Sequence, residues 1–252
     1  MATETGGSFD SIFKPGNLGF PGLQGQGIEL IQPGPTDDWT LPEKGDALKL
    51  VASDFETAAK ELGVEVAAVR AVSEVEAGGR TGFDARDRPK ILFETHRFRE
   101  NSGGAFNTSH PELTAPYESK LRRASYQKDQ WTVIREAFAL DPVAATKSAS
   151  WGMFQVLGSN FEEAGWKTLR QFVADMYYSE GQHMRAFLGF CRTNNLTRHL
   201  KTLNWKAFAS GYNGKNYADN AYDTKMAASY ARWSGKAVGG PAKGKGKQRR
   251  SR

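Results

Sequence analysis

Valines recur at 66, 69, 72 and 75, a spacing that winds into one apolar stripe of a helix from Val64 to Ala77. Upstream, Leu48, Val51, Phe55, Ala58, Ala59 and Leu62 form the apolar face of an earlier helix that starts near Asp46, an N-cap residue, and stops at Gly63. Between Arg88 and Phe98 a β-favouring core beside Pro89 predicts a short strand or hairpin. Residues 101–120, with Gly, Ser, Asn and two prolines, predict an irregular loop over a cleft. Beyond Asp129 the pattern is nearly all helical. One segment is marked by Trp131, Ile134 and Phe138, and a second by Pro142 to Ala145. A long helix is expected from Leu169 to Phe190, with Phe172, Met176, Met184 and Phe187 in its core, and two closing helices over 205–212 and 217–233. No internal repeat is visible. The expectation is one mainly α domain with a small β-hairpin region, spanning residues 46–234.

Outside that span the pattern fades. Residues 1–45 are rich in Gly and Pro and predict a flexible arm, with 27–31 as a short edge strand within it. Residues 235–252 read as a basic disordered tail. The net charge of +6 belongs to this tail: Lys243, Lys245, Lys247, Arg249, Arg250 and Arg252 stand without an acid among them. Setting those six aside leaves 28 bases against 28 acids, so the body is neutral. Such a tail suits an electrostatic tether to anionic envelope polymers. It lacks aromatics to stack on bases, which argues against a specific nucleic-acid role.

Cys191 is the only cysteine, so no disulfide can form within the chain, and its apolar helical setting predicts a small core residue. Four scattered histidines lack ligand spacing, so neither a metal nor a cofactor is expected. No run is long enough for a membrane span, and the first ten residues lack the basic start and apolar stretch of a secretory signal.

Chemistry concentrates at the end of the valine helix. Glu76 lies one turn beyond Val72 and two beyond Val69, on their buried face, whereas Glu74 points the other way, four residues after Arg70, in position for a solvated ion pair. A carboxyl among valines at a helix end resists ionisation, as a general acid for glycosidic cleavage must. The plainer reading is a buried glutamate bonded to nearby backbone. Gly78, Gly79 and Gly82 then end the helix and let a bulky ligand approach.

Three further blocks follow in order: Pro89-Lys90-Ile91-Leu92-Phe93-Glu94 with His96, Ala149 to Gly158 containing Ser150-Trp151-Gly152-Met153-Phe154-Gln155, and Tyr212-Asn213-Gly214 with Tyr217, Asn220 and Tyr222-Asp223. With Val75-Glu76 they resemble the N-acetylmuramidase family of bacteriophage endolysins, within the lysozyme-like superfamily, over residues 48–233. The resemblance implies a two-lobed lysozyme-like fold with a cleft. It also implies hydrolysis of the β-1,4 bond between N-acetylmuramic acid and N-acetylglucosamine in peptidoglycan. Members often carry a separate N-terminal wall-binding module, for which this arm is too short.

Glu76 is then the general acid and Glu94 the second catalytic carboxylate, with Asp84 and Asp87 as its rivals. Substrate-binding candidates are His96, read as sharing a strand face with Glu94, and Gln155, Trp151, Tyr212 and Asn213. Trp151 is otherwise a core aromatic, and Ser150 reads better as a helix cap. By the resemblance, Tyr212 brings its hydroxyl near Glu76 and Asn213 binds an acetamido group. Two other functions compete: a lytic transglycosylase acting on the same bond, and a virion-associated wall-binding protein on a lysozyme-like scaffold. The expected partner is the peptidoglycan glycan strand, met by a monomer. The protein would wait in the host cytoplasm for release to the wall, or travel in the virion.

Overall fold

The structure, a computed structural model, describes residues 39–78, 81–214 and 217–235. The proposed edge strand at 27–31 and the six basic tail residues lie outside them. Eleven α-helices and one small antiparallel sheet make up the described fold.

Helices α1 (Ala52–Leu62) and α2 (Val66–Ala77) each stop at a glycine in the left-handed region, Gly63 at φ 63° and Gly78 at φ 59°, where a side chain would be strained. α1 starts later than the pattern suggests. Its N-terminus is set by Asp54, whose carboxylate accepts the Val51 N–H at 2.8 Å, and not by Asp46. Leu48 instead bridges Ser179 in parallel.

Strand β1 (Ile91–Phe93) pairs with β2 (Ala149–Trp151), and β2 pairs with β3 (Val156–Leu157). The stretch after Asp129 is therefore not all helix. Ser150 is a mid-strand residue opposite Leu92 and Leu157, and caps nothing. Around the sheet lie α3 (Thr95–Asn101), α4 (Lys120–Ser125), α5 (Gln130–Leu140) and α6 (Pro142–Lys147), the last two capped by Asp129 and Asp141. Residues 102–119 are turns and irregular chain.

The long helix expected over 169–190 is two, α7 (Leu169–Tyr178) and α8 (Glu180–Thr193). Ser179 is extended between them, bridges Leu48, and caps α8 through its hydroxyl. Buried Glu180 ties this break to the rest, accepting from the backbone N–H of Leu50 and Gly82. Phe172, Met176, Met184 and Phe187 are all buried. The chain closes with α9 (Thr197–Lys201), α10 (Trp205–Asn213) and α11 (Tyr222–Ser234), the last packing along α2. Two lobes result: the sheet with α3 to α6, and the group of α1, α2, α10 and α11. α8 packs against α1 on one side and β3 on the other.

Residues 39–45 do not belong to a flexible arm. Leu41 is buried in the core, Trp39 meets the Phe138 ring edge-on at 5.3 Å, and Glu43 pairs with Arg135 at 2.6 Å. Two large apolar side chains give this Gly/Pro-flanked segment something to bury, so the ordered body begins by Trp39.

Candidate active site

Glu76 occupies the last turn of α2. Val69 and Val72, on the same face, are fully buried. The first cause acting on the Glu76 carboxyl is desolvation, which raises its pKa from 4.5 to about 7 against the opposing hydrogen bond from Asn213. Its position at the negative end of the helix dipole disfavours the anion further. Among the described residues no lysine or arginine pairs with it. At neutral pH a large fraction of Glu76 is therefore protonated, with one oxygen engaged by Asn213 Nδ2 at 3.1 Å.

Asn213 is held there by its neighbour. The Tyr212 hydroxyl donates to the Phe154 carbonyl at 2.7 Å, and its ring is enclosed by Phe187, Phe190 and Phe208, with centroids at 5.5–5.7 Å. Tyr212 thus secures the end of α10, with its hydroxyl bonded to the Phe154 carbonyl and within electrostatic reach of Glu76. Burial, then the nearby Glu76 charge, pushes its phenol well up, so it stays neutral.

The carbonyl that receives Tyr212 belongs to the turn joining β2 and β3. Gly152 sits at φ 71°, and a Cβ there would lie 2.6 Å from the His183 ring. His183 is fully buried: its Nδ1 accepts the Met153 N–H at 3.1 Å and its Nε2 lies 2.7 Å from the Met176 carbonyl. Those bonds fix one tautomer of a neutral ring, and burial lowers its pKa to about 4. Gln155, at φ 50°, folds its amide back onto the Gly152 carbonyl at 2.8 Å. In this state it braces the turn. Trp151 is 1% exposed and donates to the Thr146 carbonyl, so it is a core aromatic and offers no sugar platform.

The second carboxylate lies in the sheet lobe. Glu94 immediately precedes α3, its N–H donates to the Ser148 carbonyl at 2.9 Å, and its side chain is a quarter exposed. Oε2 accepts from the Tyr126 hydroxyl at 3.3 Å and lies 3.4 Å from His96 Nδ1. His96 is in the first turn of α3, not on a strand, because β1 ends at Phe93. Glu94 is the extended residue just before the helix, and from there its carboxylate still reaches His96. Burial lowers the His96 pKa more than Glu94 raises it. Of the rivals, Asp84 is taken by Arg88 through two bonds at 2.7 and 2.9 Å; although burial opposes ionisation, these bonds hold its carboxyl below the usual range. Asp87 is an exposed turn residue at φ 56°.

Two groupings therefore emerge, Glu76 with Asn213 and Glu94 with His96, and among the described residues no direct hydrogen bond joins them. Residue patterns gave no sign of Tyr126, which sits just past the short α4. Tyr222 and Cys191 also lie within electrostatic reach of Glu76. Both are kept neutral chiefly by burial; the Glu76 carboxylate adds to this, while Arg192 opposes it at Cys191. Among the described residues there is no group of three or more side chains suited to a metal, and no helix long and apolar enough to cross a membrane.

A helical body with a small antiparallel sheet is the architecture of a lysozyme-like glycoside hydrolase. The model of the N-acetylmuramidase family matches residues 65–234, well over half of the chain. The chain belongs to that family. It is similar to the crystal structure of a Burkholderia AP3 phage endolysin, at 32% identity and a TM-score of 0.66, covering 75% of this chain and 72% of that one. Among curated proteins nothing matches.

Proposed function

We propose that this protein hydrolyses the β-1,4 bond between N-acetylmuramic acid and N-acetylglucosamine in peptidoglycan, with Glu76 as general acid. One observation carries the reading: a desolvated carboxyl with a pKa of about 7, held by a single amide. A protonated Glu76 can give its proton to the departing sugar oxygen as the bond breaks. Asn213 orients the carboxyl and is free to share its amide with an acetamido group. Glu94 is the second carboxylate, steered by Tyr126 and His96, and either accepts the glycosyl centre or activates water. Gln155 and Tyr212 maintain the turn and helix end that frame Glu76.

The catalytic unit is residues 46–234 together with the packed segment from Trp39. The basic tail would serve as a tether to anionic envelope polymers, and the protein would act as a monomer after release from the host cytoplasm or from a virion. Loss of salt-sensitive wall binding on deletion of residues 236–252 is the expected result for that tether; unchanged binding ends it.

Digestion of purified peptidoglycan with mass spectrometry of the products tests the reaction. Reducing muramic acid ends are expected. Anhydro ends would mean that the sugar's own hydroxyl replaces water, as in a lytic transglycosylase, and intact glycan would leave only the wall-binding reading.

A further inference from the structure

Next to the Glu94–His96 pair lies a cavity of about 500 Å³, lined by His96, Arg99, Glu100, Asn107, Pro116 and Tyr117 with the turn at Gly103 and Gly104. Two of its residues carry buried polar atoms that make no hydrogen bond, His96 Nδ1 and Asn107 Oδ1. His96 as a whole is only 9% exposed, and its Nδ1, though 3.4 Å from Glu94, is not aligned for a bond. Native proteins leave few such atoms unmatched, so two in one cavity call for an explanation. A third feature points the same way: among the described residues the Arg99 guanidinium has no carboxylate partner, while Arg97 pairs with Glu100 at 3.0 Å.

These features specify a ligand. Asn107 Oδ1 asks for an N–H or O–H donor, Arg99 asks for a carboxylate, and Pro116 with Tyr117 offers an apolar wall. An amide N–H, a small alkyl side chain and a carboxylate within one short span describe a peptide. A chain of N-acetylglucosamine alone supplies the N–H but no carboxylate, and in intact peptidoglycan the lactyl carboxyl of muramic acid is tied up in its amide to the stem peptide. In peptidoglycan the carboxylates belong to the stem peptide carried by the muramic acid.

We propose that this cavity is a subsite for the stem peptide, binding its backbone amide at Asn107 and a carboxylate at Arg99. The inference rests on the proposed function, because only a peptidoglycan substrate brings a stem next to Glu94. A muramic acid seated by Glu94 would direct its peptide into the adjoining cavity. Hydrolysis would then favour stem-bearing glycan over stripped strands.

Arg99→Ala and Asn107→Ala, made separately in the full chain, test this on two substrates: intact peptidoglycan, and the same glycan with its stems removed by an amidase. On the stem-bearing substrate Arg99→Ala should raise KM about tenfold, the scale of one lost charged hydrogen bond, and Asn107→Ala about threefold, the scale of a neutral one, with kcat little changed. On stripped glycan, whose freed lactyl carboxylate stays at the ring and brings no peptide amide into the cavity, both should match the wild type within a factor of about two, which also shows that they fold. Equal losses on both substrates, or no loss on either, would overturn the subsite. If the wild type cleaves neither substrate, the proposed function has failed. Calorimetric titration of the full chain with the free stem tripeptide then decides the subsite alone: binding that Arg99→Ala weakens supports it, and no binding refutes it.

Discussion

Glu74 and Glu76 stand two residues apart on one helix and meet opposite environments. The Glu74 carboxylate faces α11, where Ser229 donates to it at 2.9 Å, Trp233 at 2.7 Å, and Arg232 also binds it. Burial would raise its pKa, but these donors together outweigh burial and lower it. Glu76 has the same chemistry and one amide for company, and desolvation takes it to about 7. Helical phase makes the difference: two positions is a rotation of about 200°, enough to exchange a set of donors for a set of valines. The sequence places Arg70 one turn before Glu74, but Arg70 stacks over Phe55 and Trp233 at 4.3 and 4.8 Å, and the ion pair goes to Arg232.

The contrast breaks most visibly at Glu76 itself. Glu76→Gln should reduce the clearing of a cell-wall suspension by about 100-fold or more, since an amide cannot donate the proton that the leaving oxygen needs. Turbidity decay against wild type measures it. Clearing at the wild-type rate would remove Glu76 from its proposed role.

The next effect is on pH dependence and has two parts. Activity should fall as pH rises through about 7, where Glu76 loses its proton. Because the Asn213 bond lowers that pKa, Asn213→Ala should move this limb upward. Stability should follow the same proton. The native state holds it between 4.5 and about 7 while the unfolded chain does not, so this contribution is complete below pH 4.5 and is lost as pH rises through about 7. Its amplitude is about 3 kcal/mol, and denaturant midpoints across pH should show it in wild type and not in Glu76→Gln. His183 has the opposite sign. Its folded pKa of about 4 lies below the ordinary 6.5, so its contribution is present above pH 6.5 and is lost on acidification through 4.

What the sequence discloses of this site is what local periodicity can carry. The valine spacing places Glu76 on the buried face, and Gly63 and Gly78 mark the helix ends, because each depends on residues within a turn or two. Contacts made at long range stay hidden. Ser179 splits α7 from α8 by pairing with Leu48, more than a hundred residues away, and nothing in the apolar pattern of 169–190 signals it. Gln155 reads as a substrate contact because its block is specific, yet it braces its own turn, while Trp151 takes the core position that was the other reading of its ring. Tyr212 illustrates the limit best. Its motif points to the site, but only the fold reveals that its hydroxyl is committed to the Phe154 carbonyl.

That commitment supplies a subtler test. Gly152→Ala would push a Cβ to 2.6 Å from the His183 ring at a φ that disfavours any side chain, displacing the turn that carries Phe154. A stability loss of about 2–3 kcal/mol is expected by chemical denaturation. If the turn, through Tyr212 and Asn213, keeps water from Glu76, the alkaline limb of activity should also move down. An unmoved limb would mean that the valine face alone sets the carboxyl.

The smallest effect completes the comparison from the other glutamate. Glu74→Gln keeps the shape but removes the charge that Arg232 and Trp233 serve, and its side chain is about a third exposed, so solvent screens much of the interaction. A loss of about 1 kcal/mol is expected from denaturant midpoints, through weaker packing of α11 on α2. Activity at neutral pH should stay within a factor of about two of wild type, because α2 still ends at Gly78 and Glu76 keeps its valines and Asn213. If this variant instead lost activity as Glu76→Gln should, the two faces of α2 would not be independent. Desolvation of Glu76 would then have to be traced to the closure of α11 over the helix, and not to the phase of the helix alone.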